Sequence, residues 1–230
     1  MAPLTMERRL YWLVLLVLAM AVVESAVVVY LRELYCRDAL LFPVLDFTGD
    51  TRVLRIGLVE MFREAATMVM LAAAAVLAGA TPWQRWGFFM VSFGLWDLAY
   101  YGWLWAFLGW PSSLMTWDVL FLIPAPWTGP VLAPCLVSVA LVGAGGVILA
   151  RENLARGIRR LDWLLEALAG LVVVLAFCEN SGACLLKTEA ELRFPWVLFS
   201  SGLALGLAVF LAALRRGRGG EPPASSAELV

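Results

Sequence analysis

The chain has 230 residues, of which 63% are hydrophobic and 15% charged, and a net charge of −1. A soluble domain is roughly half apolar and a quarter charged, so the apolar excess is expected to face lipid. The near-neutral balance, without a basic patch interleaved with aromatics, argues against a nucleic-acid partner. The absence of histidine excludes His-ligated haem, His-bound zinc and an imidazole base.

A helix that crosses a bilayer needs about 20 mostly apolar residues. In chain order the sequence offers 10–31, 56–80, 86–108, 119–150, 162–178 and 194–214. These predict an all-α polytopic membrane helix bundle of about six transmembrane helices, a single domain over 1–216 with a disordered tail over 217–230. Arg8 and Arg9 precede the first stretch, and its apolar run continues well past Ala19-Met20-Ala21, so a retained helix is expected rather than a cleaved signal. The connection 32–55 is the longest, with room for a short surface helix around Leu40–Leu45.

Ionisable residues inside such stretches cost roughly 2.5–3.5 kcal/mol each on insertion scales, so each needs a reason. Glu24 lies in the first stretch, ahead of Arg32. Glu60, Arg63 and Glu64 follow Arg55 in the second. Asp97 sits near the middle of the third, followed by Tyr100 and Tyr101, and Asp118 opens the fourth. At about 1.5 Å per residue, Glu24 and the Glu60–Glu64 group fall roughly 7–14 Å below the outer surface, with Asp97 somewhat deeper. Positions 60, 63, 64 and 67 share one helical face, and 97, 100, 101 and 104 share another, so the two faces are able to meet inside the bundle.

Glu24, Glu60, Glu64 and Asp97 are four acids against the single guanidinium of Arg63, a sum near −3 if all ionise. Repulsion and desolvation oppose that charge in a low dielectric, so the pattern predicts either protonated carboxyls or a bound cation. An all-oxygen set suits a hard divalent ion, with Glu60, Glu64 and Asp97 as metal candidates. The same residues also fit a structural lock in which Arg63 ties helices together. Asp162 and Glu166, beside Arg159 and Arg160, read as an ordinary interfacial i,i+4 set.

The fourth stretch is broken by Pro124, Pro126, Pro130 and Pro134, which no regular helix accommodates. A short helix or re-entrant arm over 114–123 is expected, then a turn at 124–129 and a spanning helix from Pro130 to Ala150. Pro130 would start that helix and aim its positive end at the carboxylates. Gly143–Gly146 and Gly202-x-x-x-Gly206 supply small surfaces for close helix contact, within the chain or with a second copy. The tryptophans at 83, 86, 103, 105 and 110 bracket the third stretch as an interfacial belt. Cys178 and Cys184 could close a small disulfide loop in an oxidising compartment.

With the N-terminus inside, ten Arg fall in inner segments against six basic residues in outer ones, so both termini are expected in the cytoplasm. The runs FREAATMVMLAAA (62–74) and FGLWDLAYYGWLWAFLGWPSSLMTWDVLFLIPAPWTGPVLAP (93–134) resemble a family of bacterial multi-spanning membrane proteins. That resemblance implies a plasma (inner) membrane setting and brings no activity or site residue with it.

Three functions compete. The uncompensated acids beside a broken helix suggest a carrier that binds a cation or proton at Glu24, Glu60, Glu64 and Asp97, with Tyr100, Tyr101 and Asp118 nearby. Spans rich in Gly, Ala and Trp suit a non-catalytic subunit or assembly factor that docks a protein partner or forms a homo-oligomer. An outer-leaflet enzyme on a lipid-linked substrate would use one carboxyl as acid or base and Arg63 to hold a phosphate.

Overall fold

The computed structural model of the protein describes residues 5–35, 51–123, 125–151, 157–181 and 193–218. The expected surface helix near Leu40–Leu45, Cys184 of the expected disulfide, and the tail from 219 onward lie outside the described residues. Among those described there are six helices and one hairpin. They are α1 (Met6–Tyr35), α2 (Thr51–Ala78), α3 (Pro82–Leu108), β1 (Trp117–Phe121), β2 (Trp127–Pro130), α4 (Leu132–Ala150), α5 (Arg160–Cys178) and α6 (Trp196–Arg218).

Five of the helices, all but α3, are long and apolar enough to cross a membrane. The third is equally long but carries Trp83, Trp86, Trp96, Tyr100, Tyr101, Trp103 and Trp105, whose polar ring atoms lower its hydropathy. The outer faces are what lipid would favour: Leu77 is 88% exposed, Val197 87% and Phe62 77%. On α2 the usual amphipathic order is reversed. Val59 and Phe62 face outward while Glu60, Glu64 and Thr67 are buried. That inversion is compatible with a membrane protein, because hydrocarbon solvates the apolar side and leaves polar groups to find partners inside.

Consecutive helices run antiparallel, which gathers the start of α1 and the end of α2 at one end of the bundle. There Arg9 donates to the Ala78 carbonyl (3.2 Å) and Arg85 to that of Gly79 (3.1 Å). The start of α3 is capped by Thr81, whose hydroxyl accepts from the Gln84 N–H at 3.1 Å, with Pro82 in the first turn, where no N–H is needed. Its end is set by Gly109 at φ 64°, a left-handed stop that a β-carbon would strain.

The central helix is α3, packed against α1, α2 and α4. Its backbone nearly touches α4: a β-carbon at Gly94 would stand 2.5 Å from the Ser138 carbonyl oxygen, and one at Gly145 would stand 2.7 Å from that of Gly87. Of the Gly143–Gly146 run, therefore, Gly145 packs inward, while Gly143 and Gly146 meet open space. Gly202 and Gly206 are taken up within the chain by α5. Helices α5 and α6 form a second packed pair, joined to the rest near the hairpin by Phe177, Phe194, Phe199 and Trp127.

The broken fourth stretch differs from expectation. Instead of a short helix over 114–123, residues 117–121 form β1, paired antiparallel with β2 in the register Trp117↔Pro130, Asp118↔Gly129, Val119↔Thr128 and Phe121↔Trp127. Aromatic and β-branched residues suit a pleated strand, and the prolines deny the segment a helix. Pro130 closes β2 rather than opening α4, which starts at Leu132, so it does not present a helix start to the acids. Phe121 reaches the ring of Trp96, and Trp96 lies roughly 18 Å along α3 from Leu108 at about 1.5 Å per residue. The hairpin therefore turns back into the bundle and leaves by the end at which it entered.

Candidate functional site

Where the hairpin meets α1, α2 and α3 there is a cavity of about 50 Å³. Among its lining residues are Glu24 of α1, Glu60, Arg63 and Glu64 of α2, and Asp97, Tyr100 and Tyr101 of α3. All seven were singled out in the sequence by depth and helical face, and the fold brings them together. Asp118 stands beside the cavity rather than on its wall.

Arg63 organises the α1–α2 side. It donates from Nε to Glu60 Oε2 at 2.7 Å, and through its terminal nitrogen to Glu24 Oε1. The second Glu24 oxygen accepts from Thr67 Oγ1 at 3.2 Å. The i,i+3 spacing of Glu60 and Arg63 puts them one turn apart on a single face, so α2 supplies both the cation and one of its anions. Glu24 and Glu60 are only 8% and 7% exposed, and neither would be tolerated there without the guanidinium.

The other acids have different partners. Glu64 Oε2 accepts from the backbone N–H of Leu122, just beyond β1, at 2.9 Å. This satisfies a donor that a two-stranded hairpin leaves unpaired, and couples the hairpin to α2. Asp97 Oδ2 accepts from Ser138 Oγ of α4 at 2.7 Å. Asp118 on β1 accepts from the Tyr101 hydroxyl at 3.2 Å and lies 3.7 Å from the Arg32 guanidinium. Arg32 in turn sits over the Trp110 ring, 3.7 Å from its centroid, a cation–π contact that takes this tryptophan out of the expected belt.

Among the described residues, five carboxyls thus face two guanidiniums, Arg63 and Arg32, in and beside this cavity. Ionised throughout, the group sums to −3. Among the described residues, however, no three acidic or cysteine side chains stand close enough to share a metal ion. Glu60, Glu64 and Asp97 border one cavity without forming the divalent site for which they were candidates, because Arg63 engages Glu60, Leu122 engages Glu64 and Ser138 engages Asp97. The Trp96 indole N–H is buried at the cavity with no acceptor among the described residues.

Sequence reasoning passed over Arg32 and Ser138 as members of the site. Ser138 had a signal, as the one hydroxyl in an otherwise apolar helix. Arg32 looked like an ordinary loop cation until α1 proved to run on to Tyr35. The Leu122 N–H had no signal at all, since a backbone donor becomes a site group only through the hairpin.

At the opposite end, Asp162 accepts from the Arg159 N–H at 2.7 Å and pairs with Arg216 of α6 at 2.5 Å. Glu166 does not join them. The expected i,i+4 set is therefore divided between α5 and α6, and Glu166 is left without a hydrogen bond or ion pair among the described residues.

The class defined by these features is a helical bundle with apolar outer faces and a small interior cavity bordered by charged groups. No family model, curated protein or solved structure matches the chain.

Proposed function

We propose that the protein is a multi-pass protein of the bacterial plasma membrane, with both termini in the cytoplasm and the hairpin at the outer end. Its hairpin-end cavity holds a proton or a small cation as the working site of a carrier. The observation behind this reading is the charge imbalance: among the described residues, five carboxyls and two guanidiniums gather in and beside one small cavity. At about 50 Å³ the space suits a few waters or a single small ion, a water needing at least roughly 10–15 Å³. That size favours a proton or small ion over the head of a lipid-linked substrate. The separate partners of Glu60, Glu64 and Asp97 favour a proton over a divalent metal.

In this reading Glu64 and Asp97 are the exchanging groups. Each has a single neutral donor, whereas Glu24 and Glu60 are paired with the Arg63 guanidinium. A proton on Glu64 weakens its bond to Leu122 and loosens the hairpin, which gives binding a mechanical consequence.

The test is reconstitution into liposomes that enclose a pH-sensitive dye, with an imposed pH gradient or membrane potential. Wild-type protein should dissipate the gradient, and Asp97→Asn and Glu64→Gln should each slow it by about tenfold or more, the scale of losing a positioned proton-transfer group. Liposomes that move neither protons nor monovalent or divalent cations, with the variants indistinguishable from wild type, would overturn the proposal.

A further inference from the structure

A second cavity lies between the α3–α4 and α5–α6 pairs, an apolar cleft of about 490 Å³. It is within the range of sites that bind small organic molecules, roughly 300–1,000 Å³. Toward the hairpin its lining residues Val137, Val173 and Leu203 pack against the aromatic cluster around Phe177, and at its far end it is lined by Trp83, Trp86 and Trp163. Trp163 meets Trp83 edge to face at 6.4 Å and Trp86 at 6.1 Å, and all three line the cleft.

Two carboxylates reach this otherwise apolar lining. Asp162 is neutralised by Arg216. Glu166 is not: it has no hydrogen bond or ion pair among the described residues, and its Oε2 lies over the α6 backbone, 3.2 Å from where a β-carbon on Gly206 would stand. The glycine makes room for the carboxylate. Glu166 is only partly buried, yet a carboxylate without a partner beside an apolar lining is costly, and a cation that brings its own apolar body supplies both the missing charge and the filling. Tryptophan rings line the same cleft, with Trp163 one helical turn from Glu166, and offer cation–π attraction.

We infer that this cleft binds a lipophilic organic cation, with Glu166 as counter-charge and the tryptophan cluster beside its charged centre. The site is separate from the hairpin-end cavity and stands whether or not that cavity carries protons.

The experiment is equilibrium binding of radiolabelled tetraphenylphosphonium to the purified full chain in nanodiscs, with tetraphenylborate as an isosteric anionic competitor. Saturable binding that resists tetraphenylborate is expected. Glu166→Gln should weaken it on the order of tenfold, the loss of one desolvated charge pair. Filling the cleft from either wall, by Gly206→Leu or Ala144→Trp, should abolish it, so a folding failure of one variant leaves the other decisive. Asp97→Asn, in the other cavity, should leave it unchanged. Equal affinity for tetraphenylborate, or an unaltered constant in Glu166→Gln, would overturn the inference and leave a cleft that takes lipid chains alone. Absence of saturable binding would overturn it outright.

Discussion

The two cavities of this bundle handle buried charge in opposite ways. At the hairpin end, about 50 Å³ is bordered by carboxyls and guanidiniums in mutual contact, with hydroxyls and a backbone N–H completing the network. In the cleft, about 490 Å³ is lined largely by apolar residues around Glu166, a carboxylate without a partner among the described residues. Helices alone offer few spare polar groups, since their backbones are satisfied internally. The hairpin supplies Leu122 N–H and Asp118 where the chain leaves the helix, and so adds partners to a charged network begun by side chains of α1 and α2.

The sharpest way to break that contrast is to remove its central cation. Arg63→Met leaves Glu24 and Glu60 buried without counter-charge, and should cost about 3–5 kcal/mol of stability, read as a lowered unfolding midpoint in detergent. Adding Glu24→Gln and Glu60→Gln should recover most of the loss. A single variant as stable as wild type would show the network to be solvated rather than enclosed. Ser138→Ala tests the α4 side and should cost about 2 kcal/mol, the worth of a hydrogen bond to a charged group, by the same measurement. Arg216→Met, at the other end, should cost least, about 1 kcal/mol or less, because its side chain is 29% exposed, it holds one acid rather than two, and Asp162 keeps the Arg159 N–H. If Arg216→Met proved as damaging as Arg63→Met, the distinction between the two ends would fail.

Much of the hairpin-end site was legible before any fold was known. Charges inside apolar stretches are rare enough to mark themselves, and depth along a helix follows from residue count, so Glu24, Glu60, Arg63, Glu64 and Asp97 could be placed at similar levels. Helical periodicity then put Tyr100 and Tyr101 on the face of Asp97. The segment 114–123 was harder: its prolines excluded a regular helix without saying what replaced it, and a strand needs a partner that only the return of the chain at 127–130 provides. Glu166 was misjudged for a related reason. Its spacing from Asp162 suggested a shared surface pair, but Arg216 approaches from α6 and takes Asp162 alone.

Composition and a fixed rise per residue were enough to place the six helices, to mark the residues too polar for a lipid-like surround, and to show that acids exceed cations among them. Tertiary structure alone decided which partner each acid received, that Ser138, Arg32 and a backbone N–H would join the site, and that two helix pairs would part to leave a cleft. Those outcomes depend on contacts between residues far apart in the chain, 58 positions in the case of Glu64 and Leu122, and no local periodicity carries that information.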